Sequence, residues 1–408
     1  MSASLGNVLL IVENLSVPMD RRAWQECETL RDAGYKVYVI CPRGKAADRT
    51  RFEVLQGVEI HRYPLRPTEG GRLGYLREYS CALFHTYRIA RALGRSRKFV
   101  VVHACNPPDL LLWTALPLRR RGAALVFDHH DLVPELYLSR FQRGQDRGYM
   151  LAKWLERWSF RLADAIISTN ESYRRVALER GGQSPDDVFV VRSAPKLSDF
   201  KRVPDKDDLR YGKRYLLAYL GVMGPQDGID HALHALAALS RHRDDWHCTF
   251  IGSGDVYSEM VSLSSELGLS DCVNFTGRIP NDELIEILST ADIGLAPDPM
   301  NPLNNVSTMN KIVEYMSLGL PVVSYDLREA RVSAGPAAVY AQPSDPEDLA
   351  ATIASLLDDP QLRHEMSTEG QARVSQDLSW QRSEENLLRA YRRAIERRHD
   401  RLMAPTSP

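Results

Sequence analysis

The chain has no long apolar run. Nowhere do its 408 residues approach the ~20 consecutive apolar residues of a membrane-spanning helix. Cysteine is sparse, with only Cys27, Cys41, Cys81, Cys105, Cys248 and Cys272. None form a C-x-x-C pair and no histidine cluster stands beside them, so a regularly spaced zinc site and a disulfide scaffold are excluded, and free thiols in a reducing cytoplasm are expected. Short repeats and low-complexity tracts are absent, which excludes a solenoid and a disordered chain. Met1 to Gly6 carries no basic residue ahead of its short apolar run, so no secretory signal is read there. Net charge is also nearly absent, at −1. That balance hides an asymmetry, because residues 1–200 carry +9 and residues 201–408 carry −10. A basic first half points to an anionic partner such as a membrane surface, a phosphorylated acceptor or nucleic acid. Two solvated surfaces of opposite sign, attracting each other across a cleft, account for it equally well.

What is present is ordinary globular composition, 44% hydrophobic and 26% charged, in a length that suits two or three domains. Short apolar runs alternate with amphipathic stretches, twice over. In the first half strands are predicted at Val8–Val12, Val37–Cys41, Val100–Ala104, Ala124–Phe127, Ala165–Ser168 and Val188–Val191. Helices are predicted between them at Arg22–Ala33, Tyr75–Leu93, Asp109–Arg120, Met150–Leu162 and Glu171–Glu179. Runs that are apolar on both faces suit a parallel sheet covered by helices on both sides. The polar stretch Pro195 to Lys213 reads as a linker. Alternation then restarts, with strands at Tyr215–Leu220, Cys248–Ile251, Val273–Thr276, Ile293–Ala296 and Pro321–Ser324. Its helices are expected at Ile229–Ser240, Tyr257–Leu267, Asn281–Ser289, Met309–Leu318 and Pro346–Leu357. Trp380 to Arg398 reads as a long amphipathic helix with Leu387, Leu388, Tyr391 and Ile395 on one face. The expectation is an α/β protein with two doubly wound domains.

Ligands of such sheets sit outside the carboxyl ends of the strands. Two segments of the first half end there, His103-Ala104-Cys105-Asn106 and Phe127-Asp128-His129-His130-Asp131. An imidazole beside a carboxylate can orient a hydroxyl or hold a proton. Strand alternation lets only one of His129 and His130 face a ligand. A packing or capping histidine is the competing account. In the second half, Gly221 to Gly228 is a glycine-rich turn between a strand and a helix, and Gly252-Ser253-Gly254-Asp255 is another. Such turns let backbone amides approach a phosphate, although they also serve tight packing. Ser307 or Thr308 can cap a helix beginning near Met309, and Lys311 would add a positive charge to the free amides there. Glu314 could accept from ribose hydroxyls; a capped surface helix with a Lys–Glu pair is the alternative.

The ordered set of motifs resembles the retaining GT-B glycosyltransferases of family 4, over nearly the whole chain. It runs from Gly34-Tyr35-Lys36-Val37 through the His-Asp run, Gly252 to Asp255 and Phe275-Thr276-Gly277-Arg278. It continues through Ala291-Asp292-Ile293 and Lys311 to Val323. The resemblance implies two Rossmann-like domains facing across a cleft: an acceptor-binding domain over 1–200, a nucleotide-sugar-binding domain over 201–378, and a C-terminal helix over 379–408 crossing back to the first. It also implies a hexosyltransferase working with retention, in polysaccharide, glycolipid or other glycoconjugate biosynthesis. The co-substrate would be a nucleotide diphosphate sugar, with UDP or GDP as nucleotide, and no metal or other cofactor is expected.

Residue by residue, His130 matches the histidine near the transferred sugar, with Asp131 beside it, and Lys311 would stabilise the leaving diphosphate. Gly221, Gly224 and Gly228 match the phosphate-facing turn, with Gly252 in the next. Arg278 and Ile279 fall where the backbone reads the base, and Glu314 matches the glutamate that holds the ribose. Ser307, Thr308, Met309 and Asn310 lie where backbone amides meet sugar and diphosphate. His103, Asn106, His129, Arg21 and Arg22 are expected to meet the acceptor or the pyrophosphate. The chain departs from the family pattern at Val306, where a first glutamate usually stands, and at Val222 and Asp227, where many relatives carry Arg and Lys. Its first loop, Asn14 to Arg22, lacks the usual glycine pair.

Lys311→Ala is therefore expected to lower turnover far more than stability. The basic first half, with Tyr75, Tyr79, Phe84 and Tyr87 interleaved between Arg72 and Lys98, raises a lipid-linked or membrane-borne acceptor, although a core-packed helix with a solvated basic face accounts for that stretch somewhat better. The protein would then be cytoplasmic and peripheral at the inner membrane face, with no transmembrane segment and no nucleic-acid partner. A non-catalytic nucleotide-sugar-binding module and a sugar-nucleotide epimerase of the same fold stay open as alternatives.

Overall fold

A computed structural model describes residues 4–44, 50–65, 72–141, 144–196 and 200–403. Residues 197–199 of the proposed linker, residues 1–3 of the N-terminal stretch and residues 404–408 lie outside the described residues. The chain forms two compact units. One comprises Met1–Leu138, Gln142–Arg192 and Gln381–Pro408, and the other Ser139–Phe141 and Ser193–Trp380.

The first unit holds strands β1 (Asn7–Ile11), β2 (Lys36–Pro42), β3 (Phe52–Leu55), β4 (Val58–Tyr63), β5 (Phe99–Cys105), β6 (Ala124–His129), β7 (Ala165–Ser168) and β8 (Val188–Val190). They form one sheet in the order β3-β4-β2-β1-β5-β6-β7-β8. Its helices are α1 (Arg21–Asp32), α2 (Arg72–Ser96), α3 (Leu116–Arg119), α4 (Val133–Phe141), α5 (Arg147–Leu162) and α6 (Glu171–Glu179). The stretch expected as one helix from Asp109 is instead a 3-10 helix, Asp109–Ala115, followed by the short α3, whose second residue is Pro117. β3 and β4 were not anticipated. They pair antiparallel as an edge hairpin in which Leu55 faces Val58. The two turn residues, Gln56 and Gly57, both have positive φ, at 47° and 85°. That geometry suits the twist of a two-residue hairpin.

The second unit has a six-stranded parallel sheet in the order β11-β10-β9-β12-β13-β14. Its strands are β9 (Tyr215–Leu220), β10 (Trp246–Ile251), β11 (Val273–Gly277), β12 (Ile293–Ala296), β13 (Val322–Tyr325) and β14 (Ala338–Ala341). Helices α7 (Ile229–Ser240), α8 (Tyr257–Glu266), α9 (Asn281–Thr290), α10 (Asn310–Ser317), α11 (Arg328–Ala334), α12 (Pro346–Asp358) and α13 (Pro360–Arg373) surround it. β9 and β12 are buried almost throughout, as a sheet covered on both faces requires.

The last helix, α14 (Trp380–Met403), packs in the first unit. Leu387, Ala390, Tyr391 and Ala394 are its fully buried stripe. Arginines on its flanks reach back to carboxylates: Arg393 and Arg397 to Asp187 at 2.8 and 2.7 Å, and Arg401 to Asp164 at 2.6 Å.

Candidate functional site

In a doubly wound sheet the ligand crevice opens where strand order reverses. In the first unit that point lies between β1 and β5. His103 and Cys105 close β5, Asp128 and His129 close β6, and His130 follows. Period-two alternation puts Asp128 and His130 on one side and turns His129 to the other.

His130 Nε2 lies 2.8 Å from Asp128 Oδ2 and 2.5 Å from Arg22 Nε. The ring nitrogen thus sits between a carboxylate that can accept from it and a guanidinium that donates to it. Arg22 also donates to both Asp128 oxygens at 3.1 Å and to the Val191 carbonyl at 2.7 Å. Behind them His103 Nε2 sits 3.2 Å from Asp128 Oδ2, and its Nδ1 sits 3.0 Å from the Tyr391 hydroxyl. Burial pushes the His103 pKa down, against the pull of Asp128, and pushes the Tyr391 phenol well up. A neutral His103 then donates from Nε2 to Asp128 and accepts from Tyr391 at Nδ1. Burial alone would raise the Asp128 pKa, but Arg22, His130 and His103 together hold it well below the ordinary range. Glu26, one turn from Arg22 at 3.3 Å, goes the other way: burial and the nearby Asp128 push its pKa well up, against the pull of Arg22.

Glu26, His103, Cys105 and Asp128 place donor atoms within 4.8 Å of one another, a set that could ligate a metal ion. Arg22 already brings a full positive charge against two of its carboxyl groups, and burial keeps the Cys105 thiol protonated.

Several residues expected at the acceptor are placed differently. His103 and His129 are fully buried and Asn106 nearly so, so none of them faces solvent. His129 is wedged against Phe160 and Tyr173, with Nε2 3.3 Å from Glu156 Oε1. Arg180 bridges that carboxylate to Glu135 at 2.6 Å each. Asn106 spends its side chain on the loop: Oδ1 accepts from the amides of His130 and Asp131 at 2.6 and 3.0 Å, and Nδ2 donates to Asp131 O and Asp109 Oδ1. Burial, with Glu156 nearby, pushes Asp109 up to about 7. Asn106 therefore holds the His130–Asp131 loop from beneath, while His103 and His129 are tied into the interior. Arg22 is buried in its ion pairs, leaving Arg21 as the exposed member of the arginine pair. Asp128 is the buried partner of His130, and alternation along β6 was the signal for it.

In the second unit strand order reverses at β9, between β10 and β12. Three segments meet there. Gly221 to Gly228 follows β9, Gly252 to Asp255 follows β10, and Pro297 to Thr308 follows β12. Gly252 (φ 131°) lies so close to Gly221 that a Cβ would stand 1.9 Å from its carbonyl oxygen. Gly228 (φ 71°) likewise abuts the Pro297 carbonyl, at 2.1 Å. Asp227 folds the turn by accepting from the Gly224 amide at 2.8 Å. Buried Asn304 then ties the turn to the next loop, donating to Gln226 O and Pro299 O at 2.8 and 2.9 Å. Val222 is exposed on the turn.

α10 begins at Asn310, and its N-cap is Met309, with no side-chain cap. This corrects the expected Ser307 or Thr308 cap; Ser307 Oγ instead donates to Leu303 O at 2.8 Å. Glu314 is partly buried on the next turn. Arg278 is exposed just after β11, while Ile279 packs partly on the core. Lys311 is the larger correction. It is buried, and Nζ donates to both oxygens of buried Asp298 at 2.8 and 3.0 Å. Burial opposes its charge, but Asp298 and then Asp227 more than offset this, so its pKa lies above the ordinary value. The ammonium is present, but it is matched by a carboxylate that sequence reading missed. The lysine is also unavailable for truncation without a cost in stability.

Comparison with known proteins bears on both units. The profile of the Glycosyl transferase 4-like domain matches residues 19–193, and that of the Glycosyl transferases group 1 matches residues 202–373. A 2-deoxystreptamine glucosyltransferase of Streptomyces kanamyceticus is 28% identical over 50% of this chain and 54% of its own. The match thus spans about half of that relative's length. A glycogen synthase of Mycobacterium tuberculosis is 25% identical over 86% of this chain and 85% of its own. Among solved structures, a sucrose-phosphate synthase from Thermosynechococcus elongatus superposes with a TM-score of 0.77, at 19% identity, over 96% of this chain and 99% of the other. That last likeness concerns the fold.

Proposed function

Because the chain belongs to the group 1 glycosyl transferases and has the GT-B fold, we propose that it moves a hexosyl unit from a nucleoside diphosphate sugar to an acceptor hydroxyl with retention of anomeric configuration. One observation carries this reading: two glycine turns and the start of α10 converge at the reversal point of the second sheet. There the N-terminus of α10 and closely packed glycine backbone can approach an anion. The diphosphate leaves with growing negative charge, and donors fixed in advance stabilise it without reorganisation. Ser307, Thr308, Met309 and Asn310 would meet sugar and diphosphate, Glu314 the ribose, and Arg278 and Ile279 the base. His130 stands beside the transferred sugar, its ring steadied by Asp128 and its backbone by Asn106.

The name of the glucosyltransferase relative favours a glucose-type donor; the nucleotide in this reading is UDP or GDP. No metal or other cofactor takes part, and the product is a polysaccharide, glycolipid or other glycoconjugate. The acceptor is lipid-linked or membrane-borne, and the protein works peripherally at the inner membrane face, with no nucleic acid involved. Among the described residues no helix is long and apolar enough to cross a membrane.

The test is a thermal-shift screen of nucleotide sugars, with and without chelator, followed by turnover of any donor found. His130→Ala should abolish most turnover while leaving the donor shift intact; a variant with normal turnover removes His130 from the reaction. A second reading, a donor-binding module without turnover, draws on the matched charge of Lys311. Donor binding with no product in any acceptor mixture would favour it.

A further inference from the structure

Most exposed apolar side chains among the described residues are isolated, but four share one helix face. On α5, Met150, Leu151, Trp154 and Trp158 are 58%, 55%, 52% and 40% exposed. Met150, Trp154 and Trp158 recur every four residues, and Leu151 flanks them, so they form one stripe. The two indoles meet edge to face at 5.9 Å. The opposite face is already occupied, because Tyr149, Ala152, Glu156, Ser159 and Phe160 are buried. Only Trp158 of the outward stripe also packs inward, edge-on to Trp113 at 6.5 Å, so the exposure of the stripe needs another reason.

Charge narrows the choice of partner. Arg147, Arg157 and Arg161 are exposed along the same helix, and Arg161 lies 5.4 Å from the Trp158 ring. The only carboxylate of α5, Glu156, points inward to His129 and Arg180. The outward face thus carries cations and no acid. In a two-fold dimer through this face each arginine row would meet its own copy, which repels. An anionic lipid surface is complementary on both counts: indoles settle at the headgroup level, and arginines pair with phosphates.

We propose that the outward face of α5 seats this protein on an anionic membrane surface, with Trp154 and Trp158 entering the interface. The inference rests on the membrane-borne acceptor of the previous section and gives it an anchoring face, while vesicle binding and sugar transfer can fail separately. It also relocates the contact expected on α2. There Phe84 and Tyr87 are exposed, but Tyr75 and Tyr79 are partly buried. Both helices pack on the 3-10 turn Asp109–Ala115, so Phe84 and Tyr87 belong to the same helical layer of the sheet.

The experiment floats the full chain with phosphatidylcholine vesicles, with and without phosphatidylglycerol, at low and high salt. Binding is expected only with the anionic lipid and is expected to weaken with salt. Trp154→Ser with Trp158→Ser should weaken it about tenfold or more, and Arg157→Ser about fivefold. Brominated acyl chains should quench tryptophan emission in the wild type and less in the double variant. Unchanged thermal unfolding of the variants shows that they fold. Failure of the wild type to bind anionic vesicles overturns the proposal, as does undiminished binding by the double variant. A concentration-dependent dimer lost with Trp154→Ser overturns it too, by assigning the face to a second copy. Nucleotide release from UDP-glucose in water, measured alongside, reports on the transferase reading independently. Its absence with vesicle binding intact leaves the membrane face standing and tells against UDP-glucose as the donor.

Discussion

Replacing Lys311 by alanine should unfold the second unit more readily, and the size of the effect follows from what stays behind. Asp298 is 1% exposed and meets Lys311 Nζ through both oxygens, at 2.8 and 3.0 Å. Truncation leaves a carboxylate in the interior with its counter-ion gone. Breaking a buried pair from one side costs about 3–5 kcal/mol. Lys311→Met should cost the same order, because it fills the volume and still strands the charge. Removing both charges, as Lys311→Met with Asp298→Leu, should recover most of the loss, since apolar replacement of a buried pair is often neutral. Denaturant unfolding followed by circular dichroism measures all three variants, provided the transition of the second unit is resolved from that of the first. Were Lys311→Ala to lose less than about 1 kcal/mol, the range of exposed pairs, the burial of this pair would be refuted. The expectation from sequence was the reverse, with turnover lost and stability kept.

Two further outcomes follow from the structure. Burial, with Glu78 nearby, pushes Glu13 up to about 8, so its folded pKa lies above its unfolded one. The stability it contributes is whole below its unfolded pKa near 4.5 and is lost as pH rises through about 8. Glu13→Gln should flatten that fall by up to about 5 kcal/mol at pH 9; parallel pH–stability curves for the two proteins would contradict it. Gly252→Ala would put a Cβ 1.9 Å from the Gly221 carbonyl at a φ of 131°. It should cost about 3 kcal/mol or more and part the two turns, and a melting curve like that of the wild type would show that they are not in contact.

Sequence reading worked where a pattern is local. β1, β9 and β12 are nearly all apolar because their sheets are covered on both faces, and they were recognised to within a residue or two. β3 and β4 escaped because Glu53, Glu59, His61 and Arg62 break up their apolar residues and because Gln-Gly closes their turn. α13 escaped because it buries only Met366 and Gly370 and so shows no stripe. The same divide runs through the sites. Glycine turns are legible, since tight approach needs glycine and strands precede each one. Partners are not, since they arrive through the fold. Tyr391 meets His103 across 288 residues of sequence, and Asp298 meets Lys311 from the loop after β12. The nearer misses, Asp128 two residues before His130 and Glu26 four after Arg22, lay within reach of strand and helix periodicity.

Two of the three cations expected to meet the diphosphate are thus engaged internally, Arg22 by Asp128 and Lys311 by Asp298. For Lys311 the consequence can be sized. At an effective dielectric of about 20, an anion ~4 Å from a lone ammonium gains about 4 kcal/mol. With a carboxylate ~7 Å from the same anion, repulsion of a little over 2 kcal/mol leaves a net gain of about 2 kcal/mol. The pair is then worth little more than tenfold in nucleotide affinity, and the backbone amides of the glycine turns and α10 carry the rest. Asp298→Asn removes the opposing charge while keeping a hydrogen-bond acceptor for Nζ. UDP or GDP should bind to it about tenfold or more tightly, even as the protein loses stability, provided Nζ keeps its proton at the assay pH. Calorimetric titration of the nucleotide at a temperature well below unfolding reads this directly. Equal or weaker affinity in a folded Asp298→Asn variant would mean that Lys311 does not face the bound phosphates.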